Sequence, residues 1–253
     1  MRMSNYSVKI LSKQMLANNT LGIRIEKPAG FTFQPGQYVT LTIPNTTDID
    51  PNGNGRYFSI ANSPDEPNLL FGIRLLDTAY KKRLISLDVG ETVEINDAAG
   101  SFLIDQSSNR PLVFFAGGIG VTPIRSMVNH LIKNNISREI TAFYSNRTPE
   151  DAAFMDDFAS WQREHESFKI IHTMSRVSEE HSWAGNRGRF TTELVSSHMA
   201  RLKKPICYIV GTHEFISGIR TILNNIGIPE QDVIREVYCG YCPDHSCCCD
   251  YVH

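Results

Sequence analysis

Short apolar and β-branched runs, separated by turn-forming residues, fill the first hundred residues of the chain. The runs cover residues 21–25, 38–43, 57–60, 70–75 and 92–95, with proline, glycine and asparagine between them. This pattern predicts five strands, and a helical period is indicated only over residues 80–87. Strands of this length and spacing are typical of a small antiparallel β-barrel.

From Leu112 onward, strand patterns alternate with helical ones. Residues 112–116 are continuously apolar, as in a strand buried on both faces, and further strands are predicted over 140–144, 168–173 and 206–210. Apolar side chains recur at helical spacing over 124–132, 152–161 and 215–226. Thr122 before Pro123 favours a helix start with Thr122 as its N-cap, and Thr148 before Pro149 repeats the signal.

This alternation predicts an α/β domain with a doubly wound parallel sheet. We expect two domains, residues 1–108 and 109–241, because the polar stretch 107–110 separates the two rhythms. A tail of residues 242–253 follows.

Composition and charge narrow the classes of partner. The chain has 253 residues, 41% hydrophobic content and a formal net charge of -2, so it has no global attraction to nucleic acid or to an anionic membrane. No apolar run reaches the roughly 20 residues that span a bilayer, and the N-terminus has no apolar signal region. We therefore expect a cytoplasmic protein with neither nucleic acid nor membrane as a partner.

The cysteines are unevenly placed. Of six, only Cys207 lies in the body of the chain, and the others are Cys239, Cys242, Cys247, Cys248 and Cys249. A secreted disulfide framework spreads its cysteines through the fold, so this distribution indicates reduced thiols. We expect the tail to be disordered and to hold no metal; a zinc or iron–sulfur site is the alternative that its soft ligands allow.

Two segments have side chains suited to cofactor chemistry. Gly117, Gly118, Gly120 and Thr122 lie between a strand and a helix, where absent side chains and free helix N–H groups suit a pyrophosphate. A tight turn that needs small residues is the alternative. Residues 56–59, Arg-Tyr-Phe-Ser, offer a cation, two rings and a hydroxyl, although aromatic residues in a strand are commonly core packing.

Five landmarks in order carry a family resemblance: residues 56–59, 77–81 (Asp-Thr-Ala-Tyr-Lys), 110–123, 144–147 (Tyr-Ser-Asn-Arg) and 236–241 (Glu-Val-Tyr-Cys-Gly-Tyr). Over residues 5–241 the chain resembles the ferredoxin–NADP reductase family of FAD-dependent oxidoreductases. The resemblance implies an FAD-binding barrel followed by a domain for NADP or NAD, with the two cofactor rings meeting between the domains.

The resemblance also implies roles for single residues. Arg56 contacts the FAD pyrophosphate, Phe58 stacks on the isoalloxazine, Ser59 places its hydroxyl near the hydride-accepting nitrogen, and Thr78 is a second phosphate contact or only a helix cap. Tyr57 and Arg74 complete the candidate FAD contacts. The family often has Tyr where Phe58 stands here, so the phenol's hydrogen bond is lost.

At the C-terminal end, the resemblance makes Glu236 a catalytic partner of Ser59 and places Tyr238 over the second flavin face. Gly211 and Thr212 are candidate nicotinamide contacts, although many relatives have Cys at the position of Val210 and Pro at that of Thr212.

Nucleotide choice depends on charge near the adenosine 2′ position. Arg147 and Arg176 follow the second and third strands of the predicted sheet, and either guanidinium suits a 2′-phosphate. Both could equally be solvated loop residues. We favour NADPH over NADH.

The predicted function is hydride transfer from NAD(P)H to bound FAD, followed by electron transfer to an external acceptor. That acceptor is a ferredoxin or flavodoxin, an oxygenase component, or free flavin. A flavin reductase that releases reduced flavin, and an electron-transfer subunit of a larger complex, are the alternatives.

Overall fold

A computed structural model describes residues 5–44 and 53–238. The chain forms two compact units. The first comprises the residues up to Ile104 together with Thr122–His130, and the second comprises Asp105–Val121 together with the residues from Leu131 onward. The predicted boundary between residues 108 and 109 stays a prediction. The cysteine-rich tail and the last three residues of the 236–241 landmark lie outside the described residues.

The first unit is built on six antiparallel strands. They are β1 (Asn5–Ala17), β2 (Thr20–Glu26), β3 (Tyr38–Thr42), β4 (Gly55–Ser59), β5 (Asn68–Arg74) and β6 (Thr92–Asn96), with helix α1 (Ala79–Ser86) between β5 and β6. The strand order is β4-β3-β6-β1-β2-β5. An antiparallel bridge between Ile60 and Phe71 links the chain just after β4 to β5, so the sheet curls towards closure. The predicted antiparallel barrel is confirmed.

The longest strand, β1, is absent from the sequence-based prediction. Its pattern is weak because only Val8 and Ile10 are buried, while Leu11 and Met15 are exposed. Register shifts between residues 10 and 12 and between 15 and 17 interrupt its pairing with β2. Such irregularities break the two-residue period that marks a strand in a sequence.

Inward-facing aliphatic and aromatic side chains fill the first unit. They come from every strand and from α1, and include Ile23, Ile25, Leu41, Phe71 and Ile95. Each contributes roughly 1.5–3 kcal/mol by leaving water. The ring of Tyr80 is buried in this core, and its hydroxyl donates to the carbonyl of Leu41 over 2.7 Å. The first turn of α1 is thereby fixed to β3.

The second unit contains a six-stranded parallel sheet. Its strands are β7 (Leu112–Gly117), β8 (Ile140–Asn146), β9 (Phe168–Met174), β10 (Asn186–Arg187), β11 (Ile206–Gly211) and β12 (Val233–Val237), in the order β10-β9-β8-β7-β11-β12. The helices are α2 (Val121–Lys133), α3 (Met155–Glu164), α4 (Thr192–Met199) and α5 (His213–Asn225). This confirms the predicted doubly wound fold, while β10, α4 and β12 were not predicted.

The strand order reverses between β7 and β11, because the chain runs outward to β8 and β9 before it returns to β11 on the other side of β7. Ligands bind open α/β sheets in the crevice at the carboxyl ends of the strands at such a switch point. The glycine-rich segment follows β7 directly. Most of α2, Thr122–His130, belongs to the first compact unit.

Helix α2 begins two residues earlier than predicted, at Val121 and not at Pro123. Gly118–Gly120 form a 3₁₀ turn, and α2 begins at Val121. Thr122 therefore lies in the first turn of the helix and is not its N-cap. Within the described ranges, 5–44 and 53–238, no helix has the length and apolar character needed to cross a membrane.

Candidate active site

Strand β4 holds the Arg-Tyr-Phe-Ser segment in antiparallel register with β3, so that Leu41 lies opposite Arg56 and Tyr38 opposite Ser59. The guanidinium of Arg56 lies 4.8 Å from the centre of the Tyr80 ring. Its Nη1 also donates to the carbonyls of Gly53 at 3.0 Å and Gly55 at 2.6 Å. The cation is therefore held in place by a ring and by main-chain acceptors.

The two rings of the segment have different environments. Phe58 is half-buried, packs against the core and lies 6.2 Å from the Tyr80 ring. Tyr57 is 68% exposed and meets the Tyr38 ring edge-on at 5.3 Å. Ser59 is only 7% exposed. The strand thus presents a cation, a partly covered ring, an exposed ring and a sheltered hydroxyl within five residues.

Three cations gather where β5 leads into α1. Arg74 ends β5 and donates to the carbonyl of Asn18 over 2.8 Å, while the ammonium of Lys81 donates to the carbonyl of Arg74. Burial, followed by the positive charges of Arg56 and Arg74, lowers the pKa of Lys81 to about 8. Thr78 caps α1 by accepting from the N–H of Lys81 at 3.3 Å. The capping role of Thr78 is therefore present, and its predicted role as a phosphate contact stays a prediction.

Sequence reasoning missed Lys81. Lys81 is followed by Lys82 and Arg83, and nothing in this basic run distinguishes a binding residue from a solvated one. The burial of the Lys81 ammonium depends on the fold. The available indication was that Lys81 lies three residues after Thr78, a candidate phosphate contact, and so falls in the first turn of α1.

Glycine is required in the loop after β7 by close packing. The Cβ of an alanine at Gly120 would lie 2.8 Å from the carbonyl oxygen of Val210 on the adjacent strand β11. Gly118 has a φ of +53°, a left-handed conformation that disfavours other residues. Gly211 is similarly restricted, since its Cβ would come within 2.7 Å of the Phe215 ring. The loop therefore presents bare backbone at the switch point.

Thr212 and Glu236 lie at the same edge of the sheet. Thr212 caps α5 by accepting from the N–H of Phe215 at 3.3 Å. Glu236 in β12 is paired with Val210 of β11 and is 8% exposed. Its Oε2 has no hydrogen-bond partner among the described residues, and burial raises the pKa of this carboxyl to about 7. Its carboxyl group can therefore exist as an acid or as a base near neutral pH.

Tyr238 follows β12, and its N–H donates to the carbonyl of Gly211 over 2.7 Å. Strand β12 and the end of β11 are thus joined beyond the last paired residues. Ser59 belongs to the first unit and Glu236 to the second, so their hydrogen bond stays a prediction.

The two candidate arginines for a 2′-phosphate are neighbours at the main chain. The N–H of Arg176 donates to the carbonyl of Arg147 over 2.8 Å, and both side chains are exposed. Asn146, the last residue of β8, is 5% exposed, and neither atom of its side-chain amide has a partner among the described residues. Sequence reasoning missed it, although the end of the second strand is where dinucleotide-binding folds place a ribose ligand.

Comparisons with known proteins agree with this geometry. Residues 114–221 match the oxidoreductase NAD-binding domain family. The chain is 24% identical over 237 residues to reductase component 2 of terephthalate 1,2-dioxygenase from Comamonas sp., covering 92% of this chain and 68% of that protein. It is 29% identical over 222 residues to the reductase component DmpP of phenol 2-monooxygenase from Pseudomonas sp. (strain CF600), covering 85% of this chain and 60% of the relative.

Among solved structures, a ferredoxin NADP⁺ reductase from Neisseria gonorrhoeae with bound FAD and NADP has a TM-score of 0.78. The identity is 18%, and the match covers 92% of this chain and 98% of that one. The chain is thus similar to ferredoxin–NADP reductase-like proteins over most of its length, and residues 114–221 form an oxidoreductase NAD-binding domain. The predicted resemblance to that family, and the prediction of an NAD(P)H oxidoreductase, are confirmed. The chain spans 68% of the length of the terephthalate dioxygenase reductase and 60% of that of the phenol monooxygenase reductase.

Proposed function

We propose that this protein is an FAD-dependent oxidoreductase that takes a hydride from NADPH and delivers electrons to a separate redox protein. Bound FAD would supply the chemistry, since a flavin accepts a hydride and can release its electrons one at a time. The observation that carries the proposal is the pairing, in one chain, of an NAD-binding domain with a unit in which Arg56, at the start of the Arg56–Ser59 segment, lies in a cluster of three cations with Arg74 and Lys81.

The first unit fits a flavin dinucleotide. Arg56 and Arg74 supply fixed positive charge for a diphosphate. Every cause that acts on the pKa of Lys81 lowers it, so a nearby anion would favour its charged form. Phe58 supplies a ring face close to these cations. A cationic cluster beside aromatic rings matches the two ends of a flavin nucleotide, one anionic and one flat and apolar.

The second unit fits a nicotinamide dinucleotide. The bare backbone at Gly118 and Gly120 admits a pyrophosphate at the switch point, and the N–H groups of the first turn of α2 follow in sequence. Arg147 and Arg176, joined through their main chains, lie after β8 and β9 as exposed cations suited to a 2′-phosphate. These features support NADPH as the preferred donor.

Ser59 and Glu236 carry the proposed catalytic roles. The hydroxyl of Ser59 would donate a hydrogen bond to bound flavin, where it would stabilise negative charge on the ring. Glu236 holds or gives up a proton near neutral pH, because burial raises the pKa of its carboxyl to about 7. Tyr238 is the candidate residue that would cover the second face of the flavin until a nicotinamide displaces it.

The acceptor is proposed to be a small redox protein or an oxygenase component, because the two relatives above are reductase components of a dioxygenase and a monooxygenase. We place the protein in the cytoplasm, where NADPH and reduced thiols such as that of Cys207 persist.

Two measurements on the purified protein test this function. The flavin released on denaturation should be FAD and not FMN, and the protein alone should reduce an artificial dye with NADPH. Substituting Arg56→Ala should release the flavin, whereas Arg163→Ala, on an exposed position of α3, should not. A protein that retains no flavin and reduces no dye would contradict the proposal.

A further inference from the structure

We propose that Lys81 is a third cationic ligand of the flavin diphosphate and that flavin binding takes up a proton at this side chain. The inference deepens the proposed function and rests on it. It assigns a binding role to a residue outside the candidate set drawn from the sequence.

The geometry places Lys81 inside the cationic cluster. Its N–H bonds to the capping hydroxyl of Thr78, and its ammonium reaches back to the carbonyl of Arg74. The preceding residue, Tyr80, is buried and carries the Arg56 guanidinium on its ring. Helix α1 therefore joins Lys81 to Arg56 on one side and to the end of β5 on the other.

The charged groups that act on Lys81 are both cations. The ionisable groups that act on it are Arg56 from β4 and Arg74 from β5, both positive, and no carboxylate pairs with it among the described residues. The nearest acid in the sequence, Asp77, precedes the N-cap of α1 and is paired with Lys82 at 2.6 Å. Three cations brought together at a partly buried place are stabilised by an anion of matching charge.

Lys82 makes a matched comparison. It has the same side chain one residue further on, but its side chain is 70% exposed and its ammonium bonds to Asp77. The two lysines therefore differ in burial and in partner and not in chemistry. Only Lys81 is surrounded by positive charge.

The cluster makes flavin binding depend on pH in a defined direction. Burial, Arg56 and Arg74 hold the pKa of Lys81 at about 8 in the flavin-free protein. A diphosphate favours the charged ammonium, so its binding raises this pKa and draws a proton from solution above pH 8. Affinity for FAD is therefore constant below pH 8 and falls above it.

The test is the dissociation constant of FAD, measured by flavin fluorescence on flavin-free protein from below to above pH 8, for the wild type, K81M, K81R and K82M. The wild-type constant should rise by up to about tenfold per pH unit above pH 8, because one proton is linked to binding. K81M should bind FAD roughly tenfold or more weakly below pH 8, with no such rise above it. K81R should stay flat because arginine keeps its charge, and K82M should follow the wild type.

Riboflavin, which lacks phosphate, separates the diphosphate from the ring. Its binding should be the same in K81M and in the wild type at every pH. The inference is overturned if K81M and K82M bind FAD equally well, or if the rise above pH 8 persists in K81M or K81R. A wild-type protein that binds no FAD overturns the proposed function and this inference together, whereas the other outcomes leave the proposed function intact. Circular dichroism of each variant checks that the fold is retained.

Discussion

Glu236 gives the folded protein a pH dependence of its own, because its carboxyl is buried with one oxygen unpartnered. Its pKa is about 7 when folded and close to the ordinary 4.5 when unfolded. The contribution of this group to the free energy of unfolding is therefore highest below pH 4.5, and it falls as pH rises from 4.5 through 7. Each pKa unit corresponds to about 1.4 kcal/mol, so the loss by pH 8 reaches about 3 kcal/mol.

We predict that Glu236→Gln is more stable than the wild type at pH 8 and nearly equal to it at pH 4.5, in flavin-free protein unfolded with urea. Glu139→Gln, which changes an exposed glutamate of the same unit, should leave the difference between the two pH values unchanged. A Glu236→Gln protein that loses stability equally at both pH values would contradict the prediction, because it would show that burial does not destabilise the ionised carboxylate in the folded protein.

Ser59 is a sheltered hydroxyl on β4, and the flavin contacts proposed for Arg56 and Phe58 do not depend on it. We predict that Ser59→Ala keeps FAD bound but slows flavin reduction by at least tenfold, or about 1.4 kcal/mol of barrier. Anaerobic stopped-flow absorbance measures this step. Ser59→Thr, which keeps a hydroxyl, should recover part of the rate. An unchanged rate in Ser59→Ala would reduce this serine to a strand residue.

Arg176 is predicted to distinguish NADPH from NADH. Its loss removes a charge-assisted hydrogen bond worth roughly 1.5–3 kcal/mol, so Arg176→Ala should raise the KM for NADPH at least tenfold and leave that for NADH nearly unchanged. Arg147→Ala is the companion variant because the two main chains are bonded. Arg163→Ala, on an exposed part of α3, is the control. Equal effects of both candidate variants on the two nucleotides would place the preference elsewhere.

Candidate residues were named from the sequence where a short pattern combines the required side chains, and their roles stay predictions. The side-chain types of Arg56, Phe58 and Ser59 are adjacent in sequence and in the structure. Lys81 and Asn146 could not be found in this way, since their significance comes from burial and from missing partners, which only the packed chain defines. The raised pKa of Glu236 has the same origin.

At the scale of elements, the glycine loop after β7 and helix α5 offer a matched pair of substitutions. Gly120→Ala should weaken both folding and nucleotide binding, because the added methyl meets the Val210 carbonyl at 2.8 Å and backbone must move. Gly218→Ala, in α5 with nothing within 4 Å of the new methyl, should instead raise stability by about 0.5–1 kcal/mol.

Urea unfolding and NADP⁺ binding by calorimetry measure the two effects. If Gly120→Ala binds NADP⁺ as tightly as Gly218→Ala and is equally stable, the loop has room that the structure does not show, and its role as a close phosphate cradle would be refuted.

Elements with a strong period were predicted from the sequence, and elements defined by their neighbours were not. Strands β7, β8 and β11 are buried on both faces and read as apolar runs. Strand β1 has bulges and a largely exposed face, and β10 has two residues, so neither shows a two-residue alternation. Helix α4 is one residue longer than two turns and has only Val195 and Met199 buried, too few to mark a period.

At the scale of the whole molecule, the change from turn-punctuated strands to alternating strands and helices predicted two architectures in one chain, and both are present. The grouping of Thr122–His130 with the first unit was not predictable. It depends on bonds such as those from Arg125 to the Ala61 carbonyl at 2.8 Å and from Ser126 to the Asn62 carbonyl at 2.7 Å. Polar side chains on a helix give no sign in the sequence of such distant acceptors.

The central claim is that this one chain binds FAD and reduces it with a nicotinamide nucleotide. An anaerobic titration of the purified yellow protein with NADPH, followed by its visible absorbance, tests this most directly. About one molar equivalent of NADPH should bleach the flavin, and addition of an electron acceptor should restore its absorbance. A protein whose bound flavin keeps its oxidised spectrum in the presence of both NADPH and NADH would contradict the account.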